Sequence, residues 1–349
     1  MEIFWYSAVT FMLAVYVVLD GYDFGVGIAY PFVARTDEER RTLLTAIGPV
    51  WNGNEVWLIA AGTGLFLAFP RAYAAGFSGF YLALIMVLWL FMGRGLAIEL
   101  RTHVDHVLWR QFWDVVFTIS SALLAVVFGI ALGNLIRGVP LNAEGYFFVA
   151  LWTDLLPDHD PGIIDWFTLL LALISAVILT AHGTNFLAMK TTGDLQARIR
   201  RMARLNGYGT VVLLLLVLAA LSVVQPSFRQ NYDAYPIGYG LPLMALAALV
   251  ALLLFRAKDQ DVLAFASSSV LLMSLLAATA WGAYPNLLIA TTDASLSLTI
   301  HNASAGRSGL QAAFWWFTVG LIAAISYQIA IHRLFRGPVK VDPRDFSAH

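Results

Sequence analysis

The chain has 349 residues, of which 60% are hydrophobic and only 12% charged, and its mean hydropathy is +0.74. An ordinary soluble domain is about a quarter charged, and one core of this size cannot hide so much apolar surface, so the composition is that of a multi-spanning membrane protein. A net charge of −1 excludes nucleic-acid binding by bulk charge, and the lack of cysteine excludes disulfide scaffolds, cysteine-ligated zinc, iron–sulfur centres and thiol catalysis.

A spanning helix needs about 20 largely apolar residues, and nine segments are predicted. The first, 3–33, follows Glu2 with no basic residue before it, so it reads as a retained span rather than a cleaved signal. Next come 48–70, which is the most polar because it holds Asn52, Asn54 and Glu55, then 76–98 and 113–135. An acidic, proline-containing loop over 136–162 (Asp154, Pro157, Asp158, Asp160, Pro161) leads to 163–188, 206–225, 238–255 and 262–284. A Ser/Thr-rich loop over 285–310 precedes the last span, 311–334. With the N-terminus outside, the inward connections carry 17 of the 21 Lys and Arg residues, Arg94 and Arg101 among them. That bias predicts N-out, C-in, and it favours nine spans over eight, because dropping 48–70 reverses the remainder. Trp5, Tyr6 and Trp166 read as an outer aromatic belt.

Two segments repeat. Asp20-Gly21-Tyr22-Asp23-Phe24 in span one matches His182-Gly183-Thr184-Asn185-Phe186 in span five, and each is followed by a basic stretch with paired arginines, Arg40-Arg41 and Arg200-Arg201. The predicted fold is therefore all-α and polytopic, with nine transmembrane helices as two pseudo-symmetric four-helix bundles plus one peripheral helix. Its divisions are 1–135, the loop 136–162, 163–284, the loop 285–310, and 311–349 for the ninth helix and tail.

Ionisable groups within hydrocarbon are costly and point to function. Counting about 1.5 Å per residue from Trp5 and Trp166 puts Asp20, Asp23 and His182 roughly 22–27 Å down, in the inner third of the bilayer. Asn52 and Glu55 enter from the inner side to about the same level. Asp20, Asp23 and Glu55 are thus proton-pathway candidates, the alternative being carboxylates that fix helix packing. Trp51, Asn52, Trp57, His182 and Asn185 are candidates for shaping the same polar region. Gly21/Gly25 and Gly129/Gly133 form GxxxG pairs suited to close helix contact. His182 is the only deep histidine, which favours a hydrogen-bonded or structural role over haem ligation, and the scattered histidines predict no metal site. Lys190–Arg204 reads as an inner loop that sets topology or meets anionic lipid. No nucleotide-binding, nucleophile-elbow or zinc-protease motif occurs, so the chain does not read as a catalyst by itself.

The segments LDGYDFGVG (19–27), GPVWNGNEVWL (48–58), FPRAYAAGFSGFY (69–81), FWDVVF (112–117) with GIALGN (129–134), and AHGTNFLAMKTTGDL (181–195) resemble subunit II of the cytochrome bd-type quinol oxidases, including the cyanide-insensitive branch. The resemblance implies a bacterial or archaeal cytoplasmic-membrane complex that oxidises quinol and reduces O2 to water. It implies that haem b and haem d are held by subunit I, and that subunit II stabilises that partner. In some members subunit II also contributes to cytoplasmic proton delivery or binds a structural quinone, and a small single-helix third subunit is a further partner to expect. Where the family commonly has an acidic residue in its W-D-G-N segment this chain has Asn52, which leaves Glu55, one turn on, or the partner subunit as the proton intake. The competing class is a proton-coupled secondary transporter with two parallel four-helix repeats, and a third reading is an assembly scaffold.

Overall fold

The computed structural model describes residues 1–157 and 161–339. Asp158 and Asp160 of the acidic loop and residues 340–349 of the tail lie outside the described residues. In chain order the helices are α1 (Glu2–Val33), α2 (Asp37–Ile47), α3 (Trp51–Ala68), α4 (Pro70–Gly79), α5 (Tyr81–Leu100) and α6 (Val107–Arg137). They continue with α7 (Trp166–Lys190), α8 (Gly193–Val224), α9 (Phe228–Ala234), α10 (Gly240–Ala257), α11 (Asp261–Ala283) and α12 (Arg307–Leu334). Among the described residues eight helices are long and apolar enough to cross a membrane. The remaining predicted span, 48–70, is α3, whose 18 residues include Asn52, Asn54 and Glu55; it runs beside α1 and α12.

Several boundaries differ from the sequence reading. The third span is preceded by α4, and the chain turns at Phe80 before α5. The basic stretch after Lys190 is not a loop: α8 starts at Gly193 and carries Arg198, Arg200, Arg201 and Arg204 on helix. Arg, Ala, Leu and Gln are all good helix formers, so polarity hid the helix from a hydropathy reading but does not break it. Likewise Arg40 and Arg41 sit on α2, whose start is fixed by a capping box between Thr36 and Glu39. Trp5 is no belt residue. It is 1% exposed, and its indole donates to the Leu310 carbonyl at 3.2 Å, pinning α1 to α12.

Helices α1 and α7 form the centre. Residues 20–27 of α1 and 178–188 of α7 are buried on every side, the pattern of helices with no solvent or lipid face. They touch backbone to backbone: a Cβ on Gly183 would lie 2.6 Å from Gly25 Cα and from the Tyr22 carbonyl oxygen. Helix α6 reaches α7 in the same way, where Gly129 meets Ala172 and Gly133 meets Thr168. Both GxxxG pairs therefore serve close packing. The loop over 285–310 folds into a small antiparallel pair, β1 (Asn286–Leu288) and β2 (Leu298–Thr299), and a bridge from Ala290 to Val139 ties it to the other outer loop. Arg137, 4% exposed, binds Asp165, Asn134 and the Gly162 carbonyl where α6 ends and α7 begins.

Candidate functional site

Asp20 lies on the stretch of α1 that has no exposed face, so its charge needs a partner inside the protein. That partner is Arg94 of α5, itself 0% exposed, with Nη2 2.7 Å from Asp20 Oδ1. The same nitrogen pairs with Glu55 of α3, and the guanidinium lies 4.6 Å from the centre of the Phe24 ring and 5.4 Å from that of Phe91. One cation thus ties three helices. The sequence reading left Arg94 in an inner connection; the structure corrects this, because two carboxylates and two aromatic faces replace the water that an arginine normally seeks.

Asp23 does not share that partner. Its Oδ2 accepts from Asn54 Nδ2 at 2.9 Å, and the same amide nitrogen donates to the Tyr22 hydroxyl at 2.7 Å. Gln328 of α12 donates to Asn54 Oδ1 at 2.8 Å, which fixes the way the amide faces. The Tyr22 hydroxyl also meets His332 Nε2 at 3.3 Å. Asp23 Oδ1, Arg94 Nε and Nη1 and Gln328 Oε1 are buried with no protein hydrogen-bond partner. Buried polar atoms of this kind are normally satisfied by water, so this polar core is suited to hold it. Of its three carboxylates, Asp20 and Asp23 are 0% exposed and Glu55 reaches the edge, with a side chain 22% exposed.

The other predicted residues sort differently. Trp57 is 5% exposed and belongs to the apolar core beside this cluster. Trp51 covers Gly95 of α5. Asn52 is exposed on the far side of α3, where it lines an apolar groove of about 1250 Å³ between α3 and α12. His182 and Asn185 are buried but outside the cluster. The His182 ring stacks on Phe265; Nε2 lies 2.9 Å from the Val18 carbonyl and Nδ1 2.7 Å from Ser268 Oγ. A carbonyl only accepts, so Nε2 carries a proton, while the Ser268 hydroxyl at Nδ1 also lies 2.8 Å from the Phe265 carbonyl. Asn185 accepts from Arg256 Nη1 at 3.1 Å.

At the helix ends that carry most of the arginines, two ion-pair assemblies resemble each other. In the first half Asp114, near the start of α6, binds Arg40 at 2.8 Å and Arg101 at 2.5 Å, and Tyr30 donates to it at 2.5 Å. In the second half Asp261, at the start of α11, binds Arg200 at 2.5 Å and also Arg256. Glu39 joins the halves through Arg198. Burial alone would raise the carboxyls of Asp37 and Glu39, but it is outweighed. Arg101 and Arg41 hold Asp37 below its usual 3.8. The Arg35 and Thr36 amides and Arg198 hold Glu39 below its usual 4.5.

Comparison with known proteins now decides the family. The family described as cytochrome bd terminal oxidase subunit II matches residues 1–335. This chain belongs to that family. It is 31% identical over 309 residues to cytochrome bd ubiquinol oxidase subunit 2 of Bacillus subtilis, covering 88% of this chain and 87% of the relative. It is 30% identical over 337 residues to cytochrome bd-I ubiquinol oxidase subunit 2 of Escherichia coli K12, covering 89% and 88%. The bd oxidase structure from Geobacillus thermodenitrificans shares the fold, with TM-score 0.75 at 19% identity over 96% of this chain and 98% of that one. The chain is thus a subunit of a quinol:O2 oxidoreductase complex, and the transporter reading falls.

Within a bd oxidase subunit II, the residues that sequence reasoning missed are Arg94, Asn54, Tyr22, Gln328 and His332. Asn54 stood in the quoted polar segment, and its side had a signal: it is spaced i, i+3 and i+4 with Trp57 and Leu58, toward the core rather than toward Asn52. The reach of Gln328 and His332 across 274 and 310 residues left none.

Proposed function

We propose that this chain, as the subunit without axial haem ligands, carries protons from the cytoplasmic side through Glu55, Asp20 and Asp23 toward the oxygen-reducing partner. The observation that carries the reading is the charge count of the buried cluster: three carboxylates face one guanidinium, with unpartnered polar atoms between them. A guanidinium stays charged, so it neutralises one carboxylate and leaves two for exchangeable protons. Glu55, at the edge, is the intake, which supplies at one turn's distance the acid that the family's pattern has at the position of Asn52.

Family membership brings a haem-bearing subunit 1 as partner. The histidine at depth here does not fit as an axial ligand, because both of its nitrogens are engaged. Haem b and haem d therefore belong to that partner, with quinol oxidised near the outer face, and no redox step is assigned to this chain. The two matching ion-pair assemblies support two four-helix units plus α12, and the basic inner ends support N-out, C-in in the cytoplasmic membrane. The apolar groove between α3 and α12 suits the isoprenoid tail of a structural quinone. A single-helix third subunit stays part of the proposed assembly on the resemblance alone.

The test is Glu55→Gln and Asp23→Asn in the complete oxidase. Slowed O2 consumption with an intact haem spectrum supports the route. Full-rate turnover in both overturns it, and haem signals lost while this chain persists show a purely structural cluster.

A further inference from the structure

We propose that α12 holds a second proton inlet to the same cluster: His332 takes a proton from water at the inner surface and passes it to Asp23 through the Tyr22 hydroxyl. The inference rests on the proton-delivery reading above and adds a route to it. Helix α12 is the most exposed of the long helices, and Leu310 is its only buried residue. Yet its last two turns send two side chains into the middle of the protein. Gln328 holds Asn54 so that Nδ2 faces both Tyr22 and Asp23. His332 is the one titratable member of this set on α12, and it is half-buried.

Its ring orientation is set by chemistry. Nδ1 lies 2.9 Å from the Gln328 carbonyl, which only accepts, so Nδ1 carries the proton. Nε2 then presents its lone pair to the Tyr22 hydroxyl at 3.3 Å. Tyr22 is fully buried, held in register by Phe186 stacked at 4.1 Å. Its hydroxyl and the Asp23 carboxylate share the Asn54 amide nitrogen, and Asp23 Oδ1 has no protein partner. At 2.7 and 2.9 Å from one nitrogen, the two oxygens lie within about 5.6 Å of each other, a gap that one water spans. The groups acting on His332 are Tyr22 from α1 and the Lys190 ammonium from the end of α7.

The step balances. A proton binds Nε2 and gives the imidazolium. Nε2–H passes its proton to the Tyr22 oxygen while the Tyr22 O–H proton moves to Asp23. His332 and Tyr22 end neutral and unchanged, and Asp23 ends protonated. Asn54 cannot relay a proton; it positions the two groups that do.

The experiment uses the whole oxidase reconstituted in vesicles, with His332→Ala, His332→Gln and Asp23→Asn compared for O2 turnover across pH, haem spectrum and response to added imidazole. A positioned proton donor contributes typically 10²–10⁴-fold, and Glu55 remains open, so His332→Ala is expected to slow turnover by roughly ten-fold. Imidazole in the medium should restore most of it, and the spectrum should not change. His332→Gln keeps an acceptor for Tyr22 but cannot titrate, so it should also be slow and should lack any pH step that the wild type owes to His332. Wild-type turnover in His332→Gln, or a slow His332→Ala that imidazole does not rescue, overturns the inlet. If Asp23→Asn is slow while both His332 variants run at full rate, the inlet fails and the proton-delivery reading stands. If all three run at full rate, both fail.

Discussion

A single guanidinium decides how the polar residues at depth behave. Arg94 holds Asp20 and Glu55 together, so removing it strands the fully buried Asp20 away from water and leaves Glu55 unpaired. Breaking a buried pair by deleting one partner costs about 3–5 kcal/mol. Arg94→Met is therefore expected to lower the thermal transition of the detergent-purified complex markedly, and Asp20→Asn added to it should recover part of the loss. Equal melting of Arg94→Met and the parent would show that the pair contributes nothing. The carboxylates were legible in the sequence because a charge inside an apolar run is conspicuous wherever it points. Arg94 was not, since an arginine near a helix end normally turns its head back to water, and only tertiary structure shows that two acids and two rings meet it first. His182 was legible as buried, but its partners Val18 and Ser268 lie 164 and 86 residues away, and no local pattern announces them.

At the scale of elements, α2 acts as a brace across the ends of several long helices. Asp37 reaches Arg101 and Arg41, and Glu39 reaches Arg198. Both carboxyls sit below their ordinary values in the folded chain. Their contribution is thus complete above the unfolded values of 3.8 and 4.5, and it is lost as pH falls through the lowered folded values. Hydrogen-exchange protection of the α2 amides, corrected for intrinsic rates, should be unchanged between pH 7 and about 5 and should drop below about pH 4. Protection that persists at pH 3 would remove the brace. The long apolar helices were readable from hydropathy alone. The inner part of α8 and the whole of α2 were not, because their residues are helix-forming but hydrophilic, and a window tuned to lipid passes over them. Helix α3 shows the opposite limit: Asn52, Asn54 and Glu55 dilute its apolar signal, although it packs along α1 like the rest.

For the molecule as a whole, the proposed orientation rests on the charge bias. The chain has no cysteine, so single-cysteine labelling has no background. With the N-terminus outside, Ser295→Cys should react with an impermeant maleimide in intact cells, and His103→Cys only after permeabilisation; the reverse pattern would invert the proposed orientation. The proposed two-fold plan rests on a short repeated motif in the sequence and on two similar ion pairs, Arg40 with Asp114 and Arg200 with Asp261. The halves differ where it counts, since the position of Asp23 is filled by Asn185, which answers to Arg256 and carries no proton. The crossing of α1 and α7 at Gly25 and Gly183 has one further consequence. With main chain pressed on main chain there, no slot is left at that crossing for a flat pigment to slide between the halves.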